Sequence, residues 1–197
     1  MIVIASVTPN NTKFGPLLFP GQLETAIQKL SQLGYDGIEL SLRTPEDIEH
    51  SKLFSLLEKN NLRLVSIATG QSFVEDGFYL FARDDTARQG AVGRIKSYIE
   101  MAVRQDSTVI LGGIRGRLDD PEDKMQYYLG IDAIKECLEE AEKNGVTLLL
   151  EAINRYETNL FNTVEGTADT VKSIGSDQLK ILADTFHMNI EDRDMKE

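Results

Sequence analysis

Residue types on which many functional sites depend are scarce in this chain. Cys137 is its only cysteine, so an internal disulfide and a thiolate metal cluster are excluded. Apolar neighbours at helical spacing around Cys137 indicate a buried structural thiol. Basic residues are outnumbered, because 21 Lys and Arg stand against 32 Asp and Glu for a net charge of −11. With no cluster of basic residues, we expect neither nucleic acid nor an anionic membrane among the partners.

Long apolar segments and nucleotide-binding glycine motifs are absent as well. The apolar run at residues 2–7 is too short for a signal peptide or a membrane span, so we expect a cytoplasmic protein. Neither GxGxxG after the first strand nor GxxxxGK[ST] is present, which disfavours a Rossmann or P-loop fold. Since no low-complexity stretch or linker interrupts the chain, we predict one domain over residues 1–197.

The chain does contain a regular alternation of strand and helix patterns. Most predicted helices end at Gly or Asn shortly before the next strand. The predicted strands are residues 2–7, 37–42, 62–68, 108–111, 147–150 and 179–183. The predicted helices are residues 23–33, 51–59, 86–104, 124–143 and 163–174. This alternation implies right-handed crossovers and a parallel sheet.

The predicted loops differ in length at the two ends of the sheet. Strand-to-helix connections are long, whereas helix-to-strand connections are short, as expected where the carboxyl ends of the strands build an active site. The long connections are residues 8–22, 69–85, 112–123 and 152–162. We therefore predict an α/β fold of the TIM (β/α)8-barrel type. A complete barrel needs roughly 250 residues, so this one is expected to be incomplete, with about six of the eight βα units.

Two predicted strands end in a carboxylate, at Glu151 and at Asp184. An ionised carboxylate is costly inside a sheet that is buried on both faces, so its expected place is the open carboxyl end. Alternation along neighbouring strands points both groups into one barrel mouth, where they could share a divalent cation. Oxygen ligands with at most one imidazole suit Mn²⁺ or Mg²⁺ and, less specifically, Zn²⁺ or Co²⁺. Alternatively, Glu151 caps a helix or pairs with Arg155, and Asp184 caps the turn that follows it.

Further candidates have two or more interpretations each. Glu39 ends the second strand and either faces the mouth or pairs with Arg43. Arg115 and Arg117 follow the fourth strand, where they could bind a phosphate or a carboxylate, although surface-loop arginines are commoner. The aromatic loop at residues 73–81 could line a sugar pocket, form an oligomer contact or pack on its own helix.

Residues 151–158 and 184–191 closely resemble the sugar phosphate isomerase/epimerase family of xylose-isomerase-like TIM barrels. Ketose 3-epimerases and hydroxypyruvate isomerases are its most similar members. Weaker matches at residues 34–40 and 111–116 extend the resemblance over essentially the whole chain. It implies a metal-dependent isomerase or epimerase of a small sugar or sugar phosphate. In such enzymes the cation polarises a carbonyl while a carboxylate moves the adjacent proton through an enediolate.

The resemblance also implies roles for individual residues. Glu151 matches the family position that is both a metal ligand and the catalytic acid/base, and Asp184 matches a second metal ligand. Glu157 and His187 match positions that hold substrate hydroxyl or carbonyl oxygens. Cleavage of abasic DNA, which related barrels perform, would require more histidines and a basic groove, so we discount it.

One part of the family pattern has no counterpart here, because family members take another metal-binding His and a second catalytic Glu from later strands. His50 is more typical of a solvated loop or a helix cap. Glu191, Asp192 and Asp194 could supply oxygens, although a frayed charged terminus is the simpler interpretation.

We therefore expect a truncated form of a longer enzyme that is weakly active or inactive by itself, since proton removal and return need two positioned groups. The alternative is a noncatalytic binding or assembly module. Unpaired edges of an incomplete barrel invite association, so a homo-oligomer is expected.

Overall fold

The computed structural model describes residues 1–15 and 17–192. Its strands are β1 (Ile4–Val7), β2 (Gly37–Ser41), β3 (Arg63–Ala68), β4 (Thr108–Leu111), β5 (Leu148–Ala152) and β6 (Leu179–Ala183). Its helices are α1 (Leu23–Gln32), α2 (His50–Lys59), α3 (Gly70–Asp76), α4 (Asp85–Val103), α5 (Lys124–Asn144), α6 (Val164–Ile174) and α7 (Thr185–Glu191), with 3-10 turns at Pro45–Asp47 and Gly113–Arg115. Within the described ranges, no helix has the length and apolar character needed to cross a membrane.

The six strands form one parallel sheet in which each strand pairs with the next along the chain, in the order β1 to β6. A doubly wound sheet reverses its order at an inner strand, and its helices cover both faces. A consecutive order is that of a TIM barrel, where the helices form an outer layer. The prediction of an incomplete TIM-type barrel with about six βα units is therefore confirmed.

The hydrophobic core lies between the helices and one face of the sheet. Paired residues on that face form apolar rows, for example Val109, Leu148 and Leu179, and these three are at most 1% exposed. Cys137 of α5 belongs to this core, and burial raises the pKa of its thiol. A buried thiol with a raised pKa has little nucleophilic thiolate, which agrees with the predicted structural role.

The opposite face of the sheet, which a barrel turns toward its interior, is more polar. Register neighbours across β1 to β4 form a row of Ser6, Glu39, Ser66 and Thr108. The next row on this face joins Ile110, Leu149 and Lys180 across β4, β5 and β6. Glu151 lies two residues after Leu149 in β5, so its side chain is on the same face. Charged and polar groups are thereby collected on the interior side.

Two helices, α3 and α7, were not predicted from the sequence. Both depend on polar contacts rather than on an apolar stripe. In α3 the buried Gln71 donates hydrogen bonds to the Ser41 carbonyl and hydroxyl oxygens at 3.0 Å each. Helix α7 begins directly after its N-cap residue Asp184, where the sequence analysis considered only a turn. Strand β5 also runs to Ala152, so Glu151 lies inside the paired strand rather than beyond it.

Candidate metal centre

Three potential metal ligands converge at the carboxyl ends of β5 and β6. Glu151 pairs in register with Leu182, and Asp184 follows the end of β6. His187 lies in the first turn of α7. One ligand atom from each of Glu151, Asp184 and His187 can be chosen so that all three lie within 4.8 Å of one another. The structure therefore brings the two predicted carboxylates together and adds an imidazole to them.

Asp184 also caps the helix that carries His187. Its Oδ1 accepts a hydrogen bond from the Phe186 backbone N–H at 2.7 Å, and the Asp184 backbone oxygen accepts from Met188. The capping alternative is thus realised. It does not compete with a ligand role, because a carboxylate has a second oxygen and several acceptor sites. The cap fixes the direction in which α7 leaves the sheet and so positions His187.

Glu151 is held in an electrostatically unfavourable environment. Its side chain is 17% exposed, and burial raises its pKa to about 7, while the nearby Arg115 guanidinium lowers it. The carboxylates of Glu39, Asp184 and Glu157 also raise it, and the value of about 7 includes all of these effects. Several acidic groups around a partly buried carboxylate, with an imidazole beside them, form a donor set that suits a divalent cation.

Neither competing role for Glu151 is found. The residue lies in a strand, so it caps no helix. Arg155 bonds instead to Glu191, with its Nε and Nη2 atoms each 2.8 Å from a carboxylate oxygen. Asp192 accepts a hydrogen bond from the Val164 backbone N–H at 3.2 Å. The predicted fraying is therefore wrong for Glu191 and Asp192, whereas Asp194 lies outside the described residues.

Asn154 connects the loop after β5 to α7 and was missed by the sequence analysis. Its Nδ2 lies 2.8 Å from both Glu157 Oε1 and His187 Nδ1, and its Oδ1 accepts from the Tyr156 N–H. His187 Nε2 is 3.9 Å from Glu151 Oε1. Asn154 therefore links the two residues predicted to hold substrate and orients the ring of His187. An asparagine just after a strand end is typical of an Asx turn, the one local signal available.

Glu39 faces the barrel interior and does not pair with Arg43. Its Oε2 accepts a hydrogen bond from the Ser66 hydroxyl at 3.3 Å, while the Nε of Arg43 lies 2.8 Å from Asp76. The other histidine, His50, begins α2 and contacts the Pro45 carbonyl at 2.9 Å. That contact agrees with its predicted structural role near a helix start.

Arg115 contradicts the expectation of a surface arginine, because it is 0% exposed. Its Nε donates to the Gly112 carbonyl at 3.2 Å and its Nη1 to the Leu160 carbonyl at 3.4 Å. In the described part of the chain, its Nη2 has no hydrogen-bond partner. Burial lowers its pKa to about 10, while the carboxylates of Glu151 and Glu157 raise it, so it is a cation at neutral pH.

A cavity of about 320 Å³ shares Glu157 with the hydrogen-bond network around His187. Its lining includes Lys13, Phe14, Phe73, Arg115, Ile153 and Glu157. Phe73 of the aromatic loop thus lines a pocket, whereas Phe81 is buried in the core. A more open cavity of about 420 Å³ lies at the start of α6, and neither Arg115 nor Glu157 is in its lining.

Curated relatives with known names match most of the chain. A D-psicose 3-epimerase of Agrobacterium fabrum is 26% identical over 189 residues, which cover 92% of this chain and 61% of that protein. A D-psicose 3-epimerase of Enterocloster bolteae is 30% identical over 181 residues, 86% of this chain and 58% of the relative. The chain therefore spans about 60% of the length of these relatives.

Solved structures agree on the fold. A D-allulose 3-epimerase from Methylomonas sp., in complex with D-allulose, superposes with a TM-score of 0.80 at 21% identity, over 98% of this chain and 66% of that one. The family model described as xylose isomerase-like TIM barrel matches residues 27–197. With the consecutive parallel strands and this match over most of its length, the chain belongs to the xylose isomerase-like TIM barrel family.

Proposed function

We propose that this chain carries the site of a divalent-metal-dependent isomerase or epimerase that moves a proton next to the carbonyl of a small ketose. The observation that carries the proposal is the convergence of Glu151, Asp184 and His187 within 4.8 Å at the carboxyl ends of neighbouring strands. The two curated relatives described above are both named D-psicose 3-epimerase, and these names support the same reaction class.

Glu151 and Asp184 would hold the metal, and the nature of the donors suits Mn²⁺ or Mg²⁺, with Zn²⁺ or Co²⁺ also acceptable. A bound divalent cation supplies positive charge beside the carbonyl oxygen and so stabilises the negative charge that develops when the α-proton leaves. We keep His187 as a substrate ligand, although its Nε2 faces Glu151 and would also allow it to bind the metal.

The chain's own residues divide the remaining work. Glu151 takes the proton from the carbon next to the carbonyl or returns it. Glu157 and His187 hold substrate oxygens, and Asn154 fixes the position of both through hydrogen bonds of 2.8 Å. Apolar residues of the cavity that Glu157 lines, such as Phe73 and Ile153, exclude water from one side of the bound sugar.

The test is metal binding by the purified chain and by Glu151→Gln and Asp184→Asn, which remove charge with little change in bulk. Each should lower the affinity for Mn²⁺ by about 10–100-fold or more, because even groups that only support ligands have effects of this size. Asn is a good helix N-cap, so Asp184→Asn should leave α7 intact. The control is Glu58→Gln, which neutralises an exposed carboxylate of α2.

Unchanged metal affinity in both variants would refute the assignment. Exchange of the α-proton of a ketose in heavy water measures the reaction itself. We expect weak or no exchange by this 197-residue form, because a single carboxylate, Glu151, is assigned to proton transfer. Exchange at rates typical of enzymes would show that one group suffices here.

The alternative function is a noncatalytic binding or assembly module. It is suggested by β6, an end strand of the sheet, where Lys180 and Ala183 are exposed. Association into a homo-oligomer would protect the unpaired edge of β6, and the homo-oligomer remains a prediction. The cluster of Glu151, Asp184 and His187 at the carboxyl ends of β5 and β6 favours the enzyme.

A further inference from the structure

We propose that the cavity around Arg115 and Lys13 is an anion-binding subsite that takes a phosphate or carboxylate group of the substrate. The identity of the substrate as a sugar rests on the proposed function. Binding of the anion itself does not, because it depends on the cavity alone.

The first support is the incomplete hydrogen bonding of Arg115. A guanidinium has five N–H donors in a planar fork, and burying it is costly unless acceptors replace water. Two donor nitrogens of Arg115 reach backbone carbonyls, whereas Nη2 is buried without a partner among the described residues. Folded proteins rarely leave such a group unpaired. Because Arg115 lines the cavity, an anionic oxygen placed there would satisfy it.

Glu151 and Glu157 do not take that place. Both carboxylates act on Arg115 through space and favour its charged form. In the described part of the chain, however, the hydrogen bonds of the guanidinium go to the carbonyls of Gly112 and Leu160. The positive charge is thus retained in the site, while the buried Nη2 is left without an acceptor among the described residues.

A second cation lines the same cavity. Lys13 belongs to the loop between β1 and α1, and its backbone N–H donates to Glu75 Oε1 at 3.1 Å. The Thr12 hydroxyl donates to the same oxygen at 3.0 Å, so this part of the loop is tied to α3. The exposed Lys13 and the buried Arg115 together provide two positive charges in the lining, against one carboxylate, Glu157.

The remaining walls suit the carbon skeleton of a small molecule. They include Phe14, Phe73 and Ile153, and the ring of Phe14 lies so close to Gly70 that a Cβ there would be 2.4 Å from it. A volume of about 320 Å³ accommodates a small sugar derivative. Glu157 belongs both to this cavity and to the network around His187, so one molecule can extend from the metal centre to the cations.

The test is calorimetric titration of the full chain with inorganic phosphate, D-fructose, D-fructose 6-phosphate and D-gluconate at constant ionic strength. We expect D-fructose 6-phosphate to bind about tenfold more tightly than D-fructose, as one charge-assisted contact provides. Lys13→Gln, at an exposed site, should remove most of this advantage without unfolding the chain. Arg115→Lys, which keeps the charge but loses the fork, should also reduce it.

Lys59→Gln is the matched control, because it removes an exposed lysine of α2 that is not in the cavity lining. A preference for D-gluconate over D-fructose without one for the phosphate would identify the ligand group as a carboxylate. Equal binding of charged and neutral sugars would overturn the subsite, and so would an equal loss in Lys59→Gln. Failure of the proposed function is seen separately, as absent metal binding or a metal affinity that Glu151→Gln and Asp184→Asn leave unchanged, with anion binding intact.

Discussion

At the scale of single residues, the polar groups of the site have structural as well as chemical partners. Asp184 caps α7 through its Oδ1 atom, and its carboxylate also belongs to the cluster with Glu151 and His187. His187 is itself a residue of α7. A residue that positions the site must therefore be distinguished from one that binds metal or substrate directly. Substitutions that remove one contact and keep the others make this distinction.

Asn154 is the residue for which this distinction is sharpest. Asn154→Ala removes the hydrogen bonds to His187 Nδ1 and Glu157 Oε1, so both side chains should lose their fixed orientation. We expect about tenfold weaker binding of metal or ketose, the usual effect of losing a supporting hydrogen bond. The ring ¹⁵N chemical shifts of His187 should change too, which reports directly on its hydrogen bonding.

Asn162→Ala is the matched control for Asn154→Ala. Asn162 lies in the same loop and its Nδ2 donates to the backbone carbonyls of Ile153 and Thr158 at 2.8 and 3.0 Å. A general loosening of the loop would therefore affect both variants alike. If Asn162→Ala weakened binding and shifted the His187 signals as much as Asn154→Ala, the positioning role of Asn154 would be wrong.

The sequence indicated Glu151 and Asp184 but not Asn154 or the burial of Arg115, for a physical reason. A carboxylate at the end of an apolar strand is a local pattern. The burial of Arg115 depends on the Leu160 carbonyl, 45 residues away, and on the aromatic ring of Phe161, 5.8 Å from the guanidinium. Such contacts between distant loops leave no periodic signal in the chain.

At the scale of elements, the strand boundaries were predicted to within two residues because each apolar run is bounded by Gly, Asn or a polar group. Glu151 misled the prediction of β5, since a buried carboxylate looked like the end of a strand. Pairing with Leu182 continues the strand through it. The helix α3 was missed because its buried face holds Gln71 and Ser72, which pack by hydrogen bonds.

The turn after β4 makes room for the Glu151 carboxylate. A Cβ on Gly112 would lie 2.5 Å from Glu151 Oε2, closer than such atoms approach in real proteins. Gly112→Ala should therefore push the carboxylate aside rather than separate the strands, because the end of a glutamate side chain moves easily. We expect about tenfold weaker metal binding in a titration, comparable with disturbance of a ligand's support.

Gly93→Ala provides the control for Gly112→Ala, because a Cβ at Gly93 in α4 would have no atom within 4 Å. Alanine is the better helix former, so Gly93→Ala should leave metal affinity unchanged and raise stability slightly. Metal affinity of Gly112→Ala equal to that of the unaltered chain would mean that the carboxylate of Glu151 does not lie against this turn.

At the scale of the whole molecule, the fold and the site share one cause. Consecutive parallel strands with helices on one side bury an apolar face and leave a polar interior face, which ends in the acidic residues of the site. The alternation of strands and helices predicted this architecture, because it depends on period and order rather than on individual contacts. The same arrangement imposes a cost on folding, since Glu151 must leave water near other carboxylates.

That cost predicts how the stability of the metal-free chain depends on pH. The pKa of Glu151 is raised from 4.5 to about 7, by burial first and by neighbouring carboxylates next. Below pH 4.5 the group is neutral in the folded and unfolded states, so its penalty is absent; between pH 4.5 and 7 the unfolded chain loses the proton first, and stability falls. Above pH 7 the loss of stability levels off, at about 3 kcal/mol as an upper limit.

In urea titrations with EDTA, Glu151→Gln should therefore be more stable than the unaltered chain at pH 8 and little more stable at pH 4. Glu58→Gln, at an exposed position of α2, should show no such difference. A Glu151→Gln variant that is less stable at pH 8 would mean that the carboxylate contributes favourably to the fold even without a metal.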